Sequence, residues 1–411
     1  MSQRGLHSSD ARLVKLALLQ NSSLSNLKLG YNNLGDEGVS TLASGIAIHV
    51  AISALDLGFN NVGDIGCMAL AEAILSRNRI RTDCMNSATK NSGSNKKVAL
   101  FDTLYLAGNC IGEEGATSLA SVVRNGCGLR RLHLTGNGVG PDGIRVLMEA
   151  ITEDDLRQQR EVANFIHARK PKSLSSLQSP KGAIHELFLG GTGMGNVGCC
   201  AVGKMLEQNS SLRVLSLDNC HMGDDEGIIL ADAIKKNQKQ LPLEKIKLSF
   251  NELTCKSIGP LMNAFWASSS LKELLLDNNA IGDEGIEVIS NLLSAAPTLK
   301  KLDVGFNSMS IGGMSKLMKA VAENTNLSSL SISGNLVDCD SAKAVAYALA
   351  YNKSLESFFM DHCSIESEGQ RHICAGIVSN SETCLHTVTG IAIGGKYIKF
   401  FGFTLMVLEL F

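Results

Sequence analysis

Twelve cysteines are spread along these 411 residues without one C-x-x-C pair, which removes the usual signature of a zinc ribbon or a dithiol redox centre. No H-E-x-x-H and no G-x-S-x-G occurs among the residues, and the nine histidines are dispersed, so neither a metalloprotease helix nor a nucleophile elbow is written in the chain. Charge of one sign is also missing. A net charge of −2 gives no global attraction to nucleic acid or to an anionic membrane. Aromatics make up 5%, with Trp266 as the one tryptophan, and six prolines stand against 40 glycines; turns are many and proline-rich linkers are excluded. Met1 to Asp10 is polar, with no apolar core of a secretory signal. The cysteines are therefore read as small buried hydrophobes in a cytoplasmic (or nuclear) protein, and Asn21, Asn209, Asn326 and Asn352 in N-x-S triplets are not read as glycan acceptors. The closing FFGFTLMVLELF is too short to span a bilayer.

What is present is a period. Leu24, Leu27, Leu29, Asn32, Leu34, Gly35, Gly38, Leu42 and Ile46 return 28 residues later as Ile52, Leu55, Leu57, Asn60, Val62, Gly63, Gly66, Leu70 and Ile74. The position of Asn32 is filled in turn by Asn60, Asn109, Asn137, Thr192, Cys220, Asn251, Asn279, Asn307, Asn335 and Cys363, giving about eleven repeats. L-x-x-L-x-L alternates as a strand with one buried face must. The Asn or Cys after it can satisfy backbone groups of a buried turn. Gly35, Gly63, Gly112 and Gly282 suit a tight turn. Asp36, Asp64, Glu113 and Asp283 suit a helix N-terminus, and Leu42 and Ile46 share a helix face. Each unit is a strand, a turn and a helix, unable to bury its leucines without neighbours.

The phrases LSNLKLGYNNLGDEGVSTLA, LKELLLDNNAIGDEGIEVIS and LDVGFNSMSIGGMSKLM resemble the long repeats of the ribonuclease-inhibitor-like leucine-rich-repeat family. That family includes ribonuclease inhibitor, the repeat domains of NOD-like receptors and the Ran GTPase-activating protein. The resemblance implies an α/β leucine-rich-repeat solenoid, a horseshoe with a parallel sheet on the concave face and helices on the convex face. It also implies a non-catalytic scaffold that binds another protein, with no cofactor, no metal and no catalytic residue. Two rivals come with it: a GTPase activator acting on a small GTPase, and the repeat fragment of a NOD-like receptor. Against the first stands the absence of a strongly acidic C-terminal tail.

A single solenoid is expected over residues 1–390, with insertions near 76–98 and 152–183 and an atypical segment at 391–411. The chain starts in the helix half of a repeat, as if cut from a longer one. The first insertion holds Arg77, Arg79, Arg81, Lys90, Lys96 and Lys97 against Asp83 alone, and its Asn/Ser/Gly-rich centre reads as disordered; the second is mildly basic, so the remaining scaffold is acidic. Gly193, Gly195 and Gly198 spell G-x-G-x-x-G, but Gly195 and Gly198 fall in register with Gly35 and Gly38, so the repeat accounts for them better than a nucleotide does. The candidate partner-binding residues lie between or just past the buried leucines: Asp56, Tyr105, His133, Phe188, Asp218, Lys247, Leu275, Asp277, Asp303, Phe359 and Asp361. Tyr105, Phe188, Leu275 and Phe359 are expected to be exposed, since the scaffold does not need them, and aromatic anchors among charges are a hot-spot composition.

Overall fold

Each repeat opens with a three-residue strand whose middle residue is apolar. The computed structural model describes residues 1–88, 98–169, 183–267, 270–293, 298–393, 396–401 and 404–408, and these fall into two units, Met1–Ser216 and Leu217–Phe411. The first unit holds β1 (Asn26–Lys28), β2 (Ala54–Asp56), β3 (Thr103–Tyr105), β4 (Arg131–His133), β5 (Glu186–Phe188) and β6 (Val214–Ser216). Successive strands pair in parallel in one constant register, with Leu27, Leu55, Leu104, Leu132, Leu187 and Leu215 side by side. The second holds β7 (Lys245–Lys247), β8 (Glu273–Leu275), β9 (Lys301–Asp303), β10 (Ser329–Ser331), β11 (Ser357–Phe359) and β12 (Thr387–Thr389), aligned on Ile246, Leu274, Leu302, Leu330, Phe358 and Val388. Every one of these middle residues is at most 5% exposed. Parallel neighbours need a crossover, and a helix supplies it. The helices are α1 (Ala11–Gln20), α2 (Gly35–Ile46), α3 (Asp64–Ala88), α4 (Glu113–Arg124), α5 (Gly140–Arg169) and α6 (Gly195–Leu206) in the first unit. In the second they are α7 (Asp224–Lys236), α8 (Cys255–Ala267), α9 (Gly282–Leu293), α10 (Ile311–Glu323), α11 (Cys339–Tyr351) and α12 (Ser367–Ser379). Leu42 and Ile46 on α2 are fully buried. After β12 the chain forms an antiparallel three-stranded sheet of β13 (Ile391–Ile393), β14 (Lys396–Phe401) and β15 (Thr404–Leu408).

The turn after each strand lies inside the stack, and its backbone is paired by a ladder of side chains. Asn109 accepts from the N–H groups of Asn60 and Val62 at 2.9 and 3.0 Å and donates to the carbonyls of Leu57 and Leu106. Asn251 accepts from Cys220 and Met222 and donates to Leu217 and Leu248; Asn137, Asn279, Asn307 and Asn335 likewise reach back to the preceding repeat. Asn32 has no earlier strand, yet residues near the start serve it: Arg4 and Leu6 donate to Oδ1 and the carbonyl of Met1 accepts from Nδ2. Thr192 donates to the carbonyl of Leu189, Cys363 lies within reach of the carbonyls of Ile332 and Asp361, and Cys220 contacts the carbonyl of Asp218.

A second ladder runs where helices end. Asn324 at the end of α10 donates to the carbonyl of Leu293, Asn352 to Val321 and Asn324, and Asn380 to Leu349 and Asn352. Sequence reading had singled out Asn326 and Asn352 as triplets; the 28-residue step of Asn324, Asn352 and Asn380 was the stronger signal.

The helix-start acids act across repeats. Asp36 Oδ1 accepts from Gly63 and Gly66 at 2.6 and 3.0 Å, Asp64 Oδ1 from Gly112 and Gly115 at 2.7 and 2.9 Å, and Asp283 Oδ1 from Ser310 at 2.8 Å. The orphan N–H groups of one helix are thus capped by the helix before it. Although burial works against it, the bonds from Ser310 and Gly313 hold the Asp283 carboxyl below its ordinary range. Glycine at positions 66, 115 and 313 follows from the same contact, because a Cβ there would lie 2.6–2.7 Å from the carboxylate. Gly35 and Gly282 have positive φ, as a tight turn requires, whereas Gly63 and Gly112 do not; at those two the need is room beside Asp36 and Asp64.

Both insertions begin as helix. α3 runs on to Ala88 and α5 to Arg169, and the low-complexity centre of the first lies outside the described residues. Arg77, one of the basic residues of the first insertion, is 3% exposed. Its Nη2 donates to the carbonyls of Val50 and Ala99 at 3.2 and 2.9 Å and its guanidinium lies over Phe101. Burial lowers its pKa to about 10. In the second, Asp154 and Asp155 are buried, and Asp155 accepts from the backbone N–H of Ser210 at 2.9 Å.

Candidate binding face

Side chains on either side of a buried strand leucine share the opposite face of the sheet. Tyr105, His133 and Phe188 close β3, β4 and β5, and the parallel register places them shoulder to shoulder. Tyr105 and His133 have ring centroids 4.6 Å apart, and His133 stacks on Phe188 at 4.0 Å with an interplanar angle of 9°. Tyr31 and Phe59 form a second stack at 4.4 Å. These two, with Phe250 and Phe306, take positive φ just beyond their strands and are 43–56% exposed. A glycine in the next repeat makes room for two of them: a Cβ on Gly108 would fall 2.3 Å from Phe59, and one on Gly334 2.2 Å from Phe306. An aromatic followed one repeat later by glycine is a signal that sequence reading passed over.

Tyr105, Phe188, Leu275 and Phe359 are half-buried instead of exposed. The cause in the first unit is lateral stacking of rings at 4.0–4.6 Å; neighbouring strands stand closer than two aromatic side chains can without contact. Within that unit Tyr105, His133 and Phe188 form a continuous surface, not a set of projecting anchors.

In the second unit Lys247, Leu275, Asp303 and Phe359 occupy the same position on β7, β8, β9 and β11. An open recess of about 510 Å³ lies over the later strands, lined among others by Asp277, Lys301, Asp303, Phe306, Phe359 and Asp361. Its acids are partly committed to the fold. Asp303 Oδ1 accepts from the N–H of Gly305 at 3.0 Å, Asp277 from the Ser249 hydroxyl and from Asn278 Nδ2, and Asp361 from the Thr389 hydroxyl. Asp218 accepts from the N–H of Ser249 at 3.1 Å, and Asp56 in the first unit from that of Gly58 at 3.0 Å.

Burial, helped by the neighbouring Asp277 carboxylate, pushes the Asp303 carboxyl above its ordinary range, against the bond from Gly305. A carboxyl whose folded pKa is raised costs stability when ionised, and that cost is relieved as pH falls through the folded value and is gone below the unfolded one. Asp303→Asn is therefore expected to raise the thermal midpoint at pH 7. The gain should vanish below about pH 4, where the wild-type carboxyl is neutral in both states. Equal midpoints at pH 7, or a gain that survives at pH 3, would contradict this account of the recess.

Among the described residues no helix is long and apolar enough to cross a membrane. A family model described as "Leucine Rich repeat" matches residues 20–43, 52–71, 102–120, 128–148, 208–228 and 267–290. The chain is 26% identical over 278 residues to the NACHT, LRR and PYD domains-containing protein 12 of Mus musculus, covering 66% of this chain and 24% of that protein. It is 34% identical over 112 residues to the mouse ribonuclease inhibitor, covering 27% and 24%. Among solved structures an internalin from Listeria monocytogenes is similar, with a TM-score of 0.46 and 14% identity over 92% of this chain and 93% of that one. The chain thus spans about a quarter of the length of these curated relatives. With a 28-residue period, an asparagine ladder and alternating strands and helices among the described residues, the chain carries leucine-rich repeats, and these are similar to those of ribonuclease inhibitor.

Proposed function

We propose that this chain is a non-catalytic scaffold that binds another protein on the ring-bearing face of its sheet. The observation that carries this reading is the stacked row Tyr105–His133–Phe188, on the side of the sheet that the buried leucines do not need. Large apolar groups release the most water when covered and dominate interface energetics. In the second unit the recess sets Phe306 and Phe359 among Asp277, Asp303 and Asp361, a chemistry that suits a cationic side chain of the partner; acids of this kind act mainly on encounter rates. A cytoplasmic setting accords with the free cysteines of the structure.

The partner is to be isolated by affinity capture with mass spectrometry and its kinetics then measured. Phe188→Ala or Phe359→Ala should raise the dissociation rate by about tenfold for each 1.4 kcal/mol lost. Asp277→Asn should slow association, less so at high salt. The competing surface is the basic start of the first insertion, where Arg79 is exposed; Arg77 is unfit for this comparison because it holds the fold. Loss of binding in Arg79→Ala with both phenylalanine variants unaffected would overturn the assignment of the face. Two finer readings keep their own assays: acceleration of GTP hydrolysis by a small GTPase, and, given the NACHT, LRR and PYD relatives, a full-length transcript that joins these repeats to an ATPase module.

A further inference from the structure

The linear sequence carries no metal motif, but the 28-residue pitch sets residues of successive repeats side by side. Cys339 opens α11, and Glu368 and His372 lie one turn apart on α12. Ligand atoms of the three, a thiol sulfur, a carboxylate oxygen and an imidazole nitrogen, all lie within 4.8 Å of one another. The geometry points to a divalent-cation site of the zinc type here, with Cys339 Sγ, the Glu368 carboxylate and His372 Nε2 as ligands and water in the fourth position.

Three observations support it. First, the donor set is the mixed S/N/O set that zinc takes, and three protein ligands leave the one open position typical of a site that keeps water. Second, the spacing fits. Ligands about 2.0–2.3 Å from a tetrahedral zinc stand roughly 3.3–3.8 Å apart, and Glu368 Oε1 lies 3.8 Å from His372 Nε2. That is too far for a hydrogen bond, and His372 Nε2 is sheltered from solvent with no hydrogen-bond partner among the described residues. Such an atom is costly to leave alone, and a cation would occupy its lone pair. Third, the chain contains its own comparison. Three repeats earlier, in the same register, Cys255 donates through Sγ to Glu284 at 3.3 Å, but the position of His372 is held by Val288. The Cys–Glu pair alone is thus satisfied as a hydrogen bond, and it is the histidine that converts it into a three-ligand cluster. The nearby ammonium of Lys343 is engaged with Asp340 at 2.8 Å, so it does not fill the cluster.

The test is titration of the reduced, chelator-treated full chain with cobalt(II), followed by zinc displacement. The expected result is one equivalent of four-coordinate cobalt with a thiolate-to-cobalt charge-transfer band, bleached by zinc. Cys339→Ser should remove the band. It and His372→Gln should each weaken affinity by more than about 100-fold, since loss of even an outer partner of a metal ligand costs about 10–100-fold. Cys255→Ser should leave both band and affinity unchanged. Far-UV circular dichroism checks that each variant is folded; all three positions lie at the surface or partly buried. No cobalt uptake by the wild type would overturn the proposal. So would a band that survives in the Cys339→Ser/His372→Gln double variant, because the metal would then sit on other cysteines.

Discussion

Asn251→Ala is expected to lower unfolding stability by about 3–5 kcal/mol, measured by urea titration. The substitution strands two N–H groups, of Cys220 and Met222, and the carbonyl of Leu217, at a site only 8% exposed; the Leu248 carbonyl keeps its bond from Asn279. Each buried backbone group left without a partner costs about 1–3 kcal/mol, and water entering the gap offsets part of the total. Asn251→Cys copies what positions 220 and 363 already carry and should recover part of the loss through one weak bond to a carbonyl. An alanine variant within about 1 kcal/mol of wild type, or a cysteine variant no better than alanine, would mean that the ladder decorates the turn without holding it.

Leu302→Ala should cost about 2–5 kcal/mol. Leu302 is fully buried, and its strand lies between those of Leu274 and Leu330, so the cavity opens in the middle of a stack. Stacked repeats are stabilised mainly through nearest neighbours. The variant should therefore also show a reduced denaturant slope, as the repeats on either side cease to unfold together. A loss below about 1 kcal/mol at Leu302 and at the equally buried Leu276 would refute the register.

The repeat was legible because periodic burial leaves a periodic sequence: Leu27 and Leu302 follow from the same spacing. The binding face was legible only as a set of positions. Whether Phe188 projects or lies down depends on His133 in the strand beside it, and His133 is 55 residues away in the chain. The burial of Arg77 was not legible for a related reason. Its surroundings in sequence are basic and polar, but its partners are carbonyls at Val50 and Ala99, on either side of it. Cys339, Glu368 and His372 were invisible to motif reading, since their spacing is one repeat plus one residue and then a helical turn. A period brings together residues that no short pattern joins.

The caps that Asp36, Asp64 and Asp283 place on the following helix give the stack a polarity. Where the aspartate recurs, a repeat presents a carboxylate to its successor, as Asp224 also does to Thr254 and Ser257; Cys255 and Cys339 hold the same position in other repeats. Gain or loss of a whole unit keeps such a capped junction in register, while a gain or loss of half a unit would set a carboxylate against a helix flank. The two long insertions obey this grammar. Both lengthen a helix before the chain returns to the next strand, and Asn60 still bonds to Asn109 across 49 residues as though the first had never been added.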